Sequence, residues 1–535
     1  GKYIVGGAVY AEQDNGYNNN GFAYVFERKD DSWTEIAKLT PTTQNDFGYF
    51  GHMAKISDDY IIIGKAGDDL NEPYTQLGEN LPVTGTQWGK FDTSSALSYD
   101  GEYIAIGNVY ADGGGTDKGE VYVFRYSGGS WSQIGDTLVG AANNDQFGQS
   151  VSLSYDGLTL AVGSPYNIGS GASDNNQGQV QVYTYSGDSW SQKGSDIESS
   201  IDSSLLGWDV KLSDDGDILA ASAYTSDYGL NDAGHVIIYN WSGSAWVQLG
   251  DRIEGEKASD NSGISIDLSS DGLIIAIGAD LADSSVSNTG HVRIFVWDGS
   301  AWVQRGDDID GATSSDRFGH SVSLSSDGTI IAIGAYDGPS NAGNANGSVQ
   351  VYKWSGTSWD ERGSILSYSV TAVADFGKSV SLSDDGNVLV IGVPGDDSYA
   401  TDAGIIYIYK WIGDWTLYMD GITGSITNED LGYHTSISGD GKRIVLAPGY
   451  TGVLSNPNGI VSVRVYEDSI TDKAGSALIF KKELTNFTSI VKLTPDETIS
   501  ANDRFGNPVA IDGNYAIIGS YLYDTSGYID TGTVY

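Results

Sequence analysis

The sequence has no cysteine, and only 2 of its 535 residues are methionine and 10 are proline. Without cysteine there are no disulfides, no thiol nucleophile and no cysteine-based zinc site. The chain also lacks any apolar run near the roughly 18 residues that a membrane helix requires, so we expect no direct membrane insertion from this segment. These absences leave a fold whose stability depends on burial and hydrogen bonding.

Basic residues are scarce as well. The 28 Lys and Arg residues stand against 71 Asp and Glu residues, which gives a formal net charge of −43 at pH 7. Such a charge opposes binding to nucleic acid and to anionic membrane surfaces. It favours cations and basic proteins as partners.

What the sequence does contain is a repeat of about 56 residues. One copy reads FGQSVSLSYDGLTLAVG from Phe147, followed by a polar loop and GQVQVYTYSGDSWSQKG. Another reads FGHSVSLSSDGTIIAIG from Phe318, followed by a loop and GSVQVYKWSGTSWDERG. Self-similarity at a fixed period of this size is typical of solenoids, propellers and other repeat architectures.

Each copy predicts four short antiparallel strands. The Asp-Gly pair after S-V-S-L predicts a tight hairpin turn, and the apolar run that follows it is short and rich in β-branched residues. The later segments GxVxVYxW and SWxQxG read as two more strands, the first with a clear period of two. No helical periodicity intervenes, so we expect an all-β fold, a β-propeller of four-stranded antiparallel blades.

The regularity of the copies predicts the domain organisation. Six units from Phe91 to about Asp430 are regular, whereas the unit from Phe50 lacks a recognisable GxVxVY strand and the unit from Leu431 carries an insertion. We therefore divide the chain into divergent N-terminal repeats (1–90), six regular blades (91–430), and a divergent C-terminal blade with a partial repeat (431–535). Six regular units and one from the flanking subtype favour a ring of seven blades. Both ends fall within repeats, so we expect a segment of a longer protein.

Tryptophan is concentrated at two positions of the repeat, which hold eleven of the 13 tryptophans. One position ends the third strand and the other lies in the fourth. A large ring at the same place in every blade predicts packing between neighbouring blades. The alternative is a row of stacking platforms for sugars.

The F-G start, the S-V-S-L strand and the A-I-G strand after Asp-Gly resemble FG-GAP repeats, the propeller blades of integrin alpha subunits and of many secreted microbial and algal proteins. The resemblance extends over nearly the whole chain. It implies a β-propeller on an extracellular or cell-surface protein. Calcium-bearing blades of that family carry a D-x-D-x-D-G loop, and no such loop occurs here.

Acidic loops nevertheless give two candidate sites for Ca²⁺, the one cofactor that the sequence suggests. Asp396, Asp397 and Asp402 lie together in GVPGDDSYATDAG, and Asp112 and Asp117 lie in YADGGGTDKG. Carboxylates are the ligands that this hard cation prefers. Asp117 and Asp402 also belong to a recurring set, an Asp or Asn two residues before the third-strand glycine, for which an Asx-type turn is the alternative.

No catalytic constellation stands out. His235 and His291 share one repeat position and His52 and His320 another, so we expect the histidines on separate blades and not in one metal site or triad. The G-K-S at Gly377 lacks the glycine five residues earlier that a phosphate-binding loop requires. The sequence therefore predicts a protein that is not an enzyme.

Our first interpretation is a non-enzymatic extracellular structural or adhesive protein. It would be a segment of a larger surface or filament component that binds protein partners, or further copies of itself, through propeller surfaces and terminal strands. The second is a ligand-binding propeller, a carbohydrate or calcium-dependent receptor head. The third, a hydrolase or lyase, would require polar residues that converge on the central channel.

A glycoprotein would fit the first two interpretations. Sequons at Asn240, Asn346 and Asn486 are the glycosylation candidates.

Overall fold

A computed structural model gives the structure of this chain as strands and turns, with no helix that could cross a membrane in the part it describes. The described residues are 3–8, 22–29, 32–39, 50–56, 60–65, 75–76, 81–84, 94–111, 115–168, 176–227, 230–283, 287–337, 347–367, 374–418, 421–424, 427, 429–448, 460–467, 476–482, 487–493, 505–512, 515–520 and 533–534. The chain divides into two compact units, one of Gly1–Tyr74 with Asp468–Tyr535 and the other of Thr75–Glu467.

The central unit, Thr75–Glu467, contains six regular blades, each formed by one continuous stretch of chain. The first strands of blades 1 to 6 span Ser95–Leu97, Ser150–Leu153, Val210–Leu212, Ser265–Leu268, Ser321–Leu324 and Ser379–Leu382. The second strands span Tyr103–Asn108, Thr159–Ser164, Ile218–Ala223, Ile274–Ala279, Ile330–Ala335 and Val388–Val393. The third strands span Glu120–Ser127, Gln179–Ser186, His235–Trp241, His291–Trp297, Ser348–Trp354 and Ile405–Trp411.

The outer edge of each blade is interrupted. The fourth strands span Ser130–Gln133, Ser189–Gln192, Trp246–Gln248, Trp302–Gln304, Trp359–Glu361 and Trp415–Leu417. A short fifth strand follows, pairing with the beginning of the third strand at Leu138–Val139, Ile197–Glu198, Ile253–Glu254, Ile309–Asp310, Leu366–Ser367 and Ile422–Thr423. The four antiparallel strands predicted for each regular unit are therefore present, and the short fifth strand is an addition.

The structure shows six regular blades and not the seven favoured from the sequence. The remaining place in the ring is held by a composite sheet of Leu431–Ile437, Arg443–Pro448 and Ile460–Glu467, completed by Thr75–Gln76 and Leu81–Thr84. Its first strand lies between the first strands of blades 6 and 1. The sequence did not reveal this sheet, because its outer strands come from a segment more than 300 residues before Leu431. The unit from Leu431 also carries a long insertion.

A ring of backbone hydrogen bonds joins the sheets of the central unit. The residue before each Asp-Gly turn donates its amide hydrogen to the carbonyl oxygen of the equivalent residue in the next blade, for example Asp214 to Ser270 at 2.8 Å. The series runs through Tyr99, Tyr155, Asp214, Ser270, Ser326, Asp384 and Gly439, and Asp440 closes it by donating to Tyr99 at 3.2 Å. The first strands therefore surround a central channel.

The F-G start of each unit holds neighbouring blades together. Phe147, Phe318 and Phe376 are completely buried. The serine two residues after the F-G pair donates from its hydroxyl to the carbonyl oxygen of the F-G glycine in the next blade, as Ser265 does to Gly319 at 2.8 Å. The repeated F-G-x-S motif is therefore a packing and hydrogen-bonding device.

The tryptophans of the fourth strands also connect blades, which confirms the packing role predicted for them. Trp302 donates from Nε1 to the carbonyl oxygen of Leu249 in blade 3, at 2.8 Å, and the same bond recurs in other blades. The glycine after the fourth strand lies under the rings of the next blade. A Cβ on Gly250 would lie 2.6 Å from Cζ3 of Trp297, and its φ of +75° also favours glycine.

The described strands of the other unit form three sheets. Two are three-stranded, with strands Tyr3–Ala8, Phe22–Lys29 and Ser32–Leu39 in one and Phe505–Asp512, Tyr515–Ser520 and Thr533–Val534 in the other. The third sheet combines Phe50–Ile56 and Tyr60–Lys65 with Ser476–Lys482 and Phe487–Leu493. The third strand missing from the unit at Phe50 is therefore supplied by the same chain, after the whole central unit.

Candidate functional site in the central channel

Residues that differ from one repeat to the next collect at one mouth of the channel. The residue directly after the F-G pair, or its equivalent, is half-buried in every blade where it is described. Together these side chains line a cavity of about 250 Å³. We call this the F-G mouth, and it consists of Gln149, Trp208, Ile264, His320, Lys378 and Tyr433.

The side chains of the F-G mouth combine aromatic rings with positive charge. The ring of Trp208 lies 4.6 Å from that of Tyr224, measured between centroids. The ammonium group of Lys378 lies 4.0 Å from the ring centroid of Tyr336 and 5.4 Å from that of Tyr433. Cation–π contacts of this kind hold a lysine in place while leaving it charged.

A buried carboxylate lies beside this mouth. Asp280 is 1% exposed, and its Oδ2 lies 3.0 Å from Nδ1 of His320 and 3.3 Å from Nη1 of Arg317. Burial opposes the charge of Asp280, but His320 and Arg317 outweigh it and hold the pKa of Asp280 below its ordinary value. The second oxygen, Oδ1, is buried with no hydrogen-bond partner among the described residues. A buried acceptor without a partner costs folding free energy.

Three charged residues replace serine on the inner strands of blades 3 and 4. Asp209 and Lys211 occupy the two serine positions of S-V-S-L in blade 3, and Asp267 occupies the second of them in blade 4. The ammonium nitrogen of Lys211 lies 3.6 Å from Oδ1 of Asp267. Burial lowers the pKa of Lys211, but the carboxylates of Asp267 and Asp209 outweigh it and hold the pKa above its ordinary value. Lys211 is therefore charged inside the channel.

The carboxylates of Asp209 and Asp267 already accept hydrogen bonds from backbone amides of the propeller. Oδ2 of Asp209 accepts a hydrogen bond from the amide of Ile266 at 2.9 Å, and Oδ2 of Asp267 accepts one from the amide of Leu324 at 2.7 Å. The bond of Asp267 is equivalent to one in blade 2, where Ser152 accepts from the amide of Leu212. Both carboxylates therefore bond to the next inner strand, and Asp267 adds an ion pair.

The opposite mouth is acidic. It is lined by the residues that precede the Asp-Gly turns, around a cavity of about 220 Å³. We call this the D-G mouth, and it consists of Tyr99, Tyr155, Asp214, Ser270, Ser326, Asp384 and Gly439. The rings of Tyr99 and Tyr155 are stacked with centroids 4.3 Å apart. Burial, followed by repulsion from Asp214 and Asp267, raises the pKa of Asp384 to about 6.

The candidate calcium ligands lie outside the channel mouths. Oδ1 of Asp397 accepts a hydrogen bond from the amide of Asp402 at 2.8 Å, and Oδ1 of Asp396 accepts one from the amide of Ser398 at 2.9 Å. Asp402 and Asp117 have φ of 49° and 45°, a left-handed backbone conformation that Asp tolerates better than most residues. The Asx-type turn stays a prediction at both positions. Calcium binding by these loops stays a prediction, and Asp112 lies outside the described residues.

Of the glycosylation candidates, Asn240 is exposed on the third strand of blade 3. Asn346 and Asn486 lie outside the described residues, and modification at all three stays a prediction. The residues of the two mouths were missed from the sequence. The signal that would have found them is the variable position after each F-G pair and before each Asp-Gly pair, on an otherwise repeated framework.

Comparison with known proteins agrees with this geometry. The FG-GAP repeat family model matches residues 137–183, 309–352 and 487–535.

These three segments of the chain are FG-GAP repeats.

Such repeats are typical of extracellular proteins, and the matched segments contain the F-G starts at Phe147, Phe318 and Phe505. No curated protein matches the chain. Among solved structures, the periplasmic gluconolactonase of Pseudomonas aeruginosa is 14% identical, with a TM-score of 0.43, and the alignment covers 70% of this chain and 92% of that one. The β-propeller domain of the trilobed protease from Pyrococcus furiosus is 11% identical, with a TM-score of 0.41, over 75% of this chain and 98% of that domain. Similarity this weak carries no information on function.

Proposed function

We propose that this FG-GAP propeller is a non-enzymatic interaction module of an extracellular structural or adhesive protein, and that it binds its partner at the F-G mouth. The observation that carries the proposal is the distribution of sequence variation within the repeat. A common framework of Phe, Gly and Ser holds the blades together, and the side chains that differ between blades meet around one opening. A scaffold that presents different side chains from equivalent positions is suited to recognition.

The chemistry of this mouth favours a protein segment that carries carboxylates and apolar surface. Lys378 places a positive charge in the opening of a strongly acidic protein, and Trp208 and Tyr433 offer ring faces. A carboxylate of the partner would pair with Lys378 at short range, against the net charge of the protein, and aromatic side chains supply much of the energy at such interfaces. The expected partner is therefore a protein, with self-association as one case.

Carbohydrate is the second candidate ligand, and the paired rings of Trp208 and Tyr224 favour it. An enzymatic role has less support. Polar groups do converge on the channel, but the carboxylates of Asp209 and Asp267 accept hydrogen bonds from backbone amides and Lys211 is paired with Asp267. Each therefore has a structural use that explains its presence.

The proposal can be tested by screening the labelled full chain against arrays of acidic peptides and of glycans, with and without a chelator. Replacing Trp208→Ala or Lys378→Gln should weaken every bound probe by about 5- to 30-fold, as loss of an interface anchor worth about 1–2 kcal/mol does. The matched control is Val247→Ser, on the exposed fourth strand of blade 3. Binding that survives both mouth substitutions would place the site elsewhere.

A further inference from the structure

A second cluster of potential ligands lies away from both channel mouths, where the connection between blades 3 and 4 meets the outer part of blade 4. Glu256 follows the fifth strand of blade 3, His291 begins the third strand of blade 4, and Asp308 precedes the fifth strand of blade 4. Each offers one ligand atom, and the three atoms lie within 4.8 Å of one another. The spacing permits one ion to contact all three.

His291 supplies an observation that is independent of the acidic residues. Its side chain is 5% exposed, and its Nε2 is buried with no hydrogen-bond partner among the described residues. A buried ring nitrogen without a partner costs folding free energy unless something else binds it. Neutral imidazole is the form in which histidine binds metals.

The charges around the cluster leave room for a cation. Arg293 is the nearest positive group, with Nη1 3.6 Å from Oε1 of Glu256, but its Nη2 donates to the carbonyl oxygen of Glu254 at 2.7 Å. The carboxylates of Glu256, Asp308 and Asp310 outnumber the two cations that act on this cluster, Arg293 and Lys257.

We propose that Glu256, His291 and Asp308 form a zinc site. One imidazole and two carboxylates match the ligands that Zn²⁺ takes in tetrahedral sites, with the fourth position open to water on the exposed side of Glu256. Calcium would be a poorer occupant because it prefers six to eight oxygen ligands. Bound zinc would tie the connection after blade 3 to the outer strands of blade 4.

The repeat contains its own negative control. His235 occupies the position of His291 one blade earlier, but Arg252 stands where blade 4 has Asp308, and Ser200 stands where the connection has Glu256. His235 is also buried, at 1% exposed. The two histidines share strand position and burial, and differ in whether carboxylates surround them.

The test is a zinc titration of the metal-free full chain by calorimetry, in a large excess of Mg²⁺ to saturate ordinary carboxylate sites. We expect one saturable site. His291→Gln and Asp308→Asn should each weaken it by at least the roughly 10- to 100-fold that loss of even an outer-shell partner costs. His235→Gln should leave it unchanged.

Cobalt provides a second readout, because the visible absorption of bound Co²⁺ reports tetrahedral coordination with nitrogen among the ligands. The wild-type protein and His235→Gln should give this spectrum, and His291→Gln should lose it. Zinc binding that persists in His291→Gln, or the absence of a saturable site in the folded wild-type chain, would overturn the proposal.

Discussion

Replacing Asp384→Asn at the D-G mouth should stabilise the protein at neutral pH. Asp384 is half-buried and faces Asp214 and the Asp-Gly turns of neighbouring blades. Its pKa is raised to about 6, first by burial and then by repulsion from Asp214. Asparagine has nearly the same shape but carries no charge, so the substitution removes the repulsion and keeps the packing.

The direction of the pH effect on stability follows from the difference in the pKa of Asp384 between the folded and unfolded states. In the unfolded chain the pKa of Asp384 is that of an ordinary aspartate, about 3.9. Because the folded-state pKa is higher, the protonated form stabilises the fold below about pH 4, and this contribution is lost as the pH rises through about 6. We expect Asp384→Asn to raise the free energy of unfolding by about 1 kcal/mol at pH 7, after allowance for solvent screening at a half-exposed group.

The measurement is urea unfolding of both proteins at several pH values between 4 and 8. The gain should be about 1 kcal/mol at pH 7 and should vanish near pH 4. The reciprocal substitution Ser326→Asp, at the same repeat position, should lower stability at pH 7 and have little effect near pH 4. A gain from Asp384→Asn that is the same at every pH would refute the electrostatic reasoning, and a loss at pH 7 would refute it more strongly.

Two further predictions concern the contacts between neighbouring blades. Trp302→Phe removes the hydrogen bond to Leu249 and part of a half-buried ring, so urea unfolding should show a loss of about 1–3 kcal/mol. Gly306→Ala should lose more free energy of unfolding than Gly356→Ala. Both glycines have positive φ, but a Cβ on Gly306 would lie 2.9 Å from Cζ3 of Trp354, whereas a Cβ on Gly356 would meet nothing within 4 Å. Equal losses for the two alanine variants would show that backbone strain alone accounts for the conservation of glycine across the repeat copies.

Much of the fold follows from local sequence. The Asp-Gly pairs predict the hairpins, and in the structure each turn is fixed by its own residues, as Asp327 accepts from the hydroxyl of Ser325 and the amide of Thr329. The tryptophan positions predict contacts between blades because a propeller repeats one interface. These features depend on residues within a single unit or its immediate neighbour.

What could not be predicted depends on distant segments. Nothing in Leu81–Thr84 marks it as the outer strand of a sheet whose other strands begin at Leu431, and Ser476–Lys482 completes a sheet that begins at Phe50. Pairing over such separations is decided by the closed ring and not by local pattern. The F-G mouth was missed for a related reason, since its members are about 56 residues apart and share nothing but their place in the repeat.

Photo-crosslinking at the F-G mouth tests most directly whether this propeller binds its partner there. A photoreactive amino acid at Ile264, which is half-buried in that mouth, would be compared with one at Val247 on the outer edge of blade 3, using a bound peptide or glycan from the arrays. We predict capture of the probe from position 264 and none from position 247. Capture from position 247 alone would contradict the claim that this propeller binds its partner at the F-G mouth.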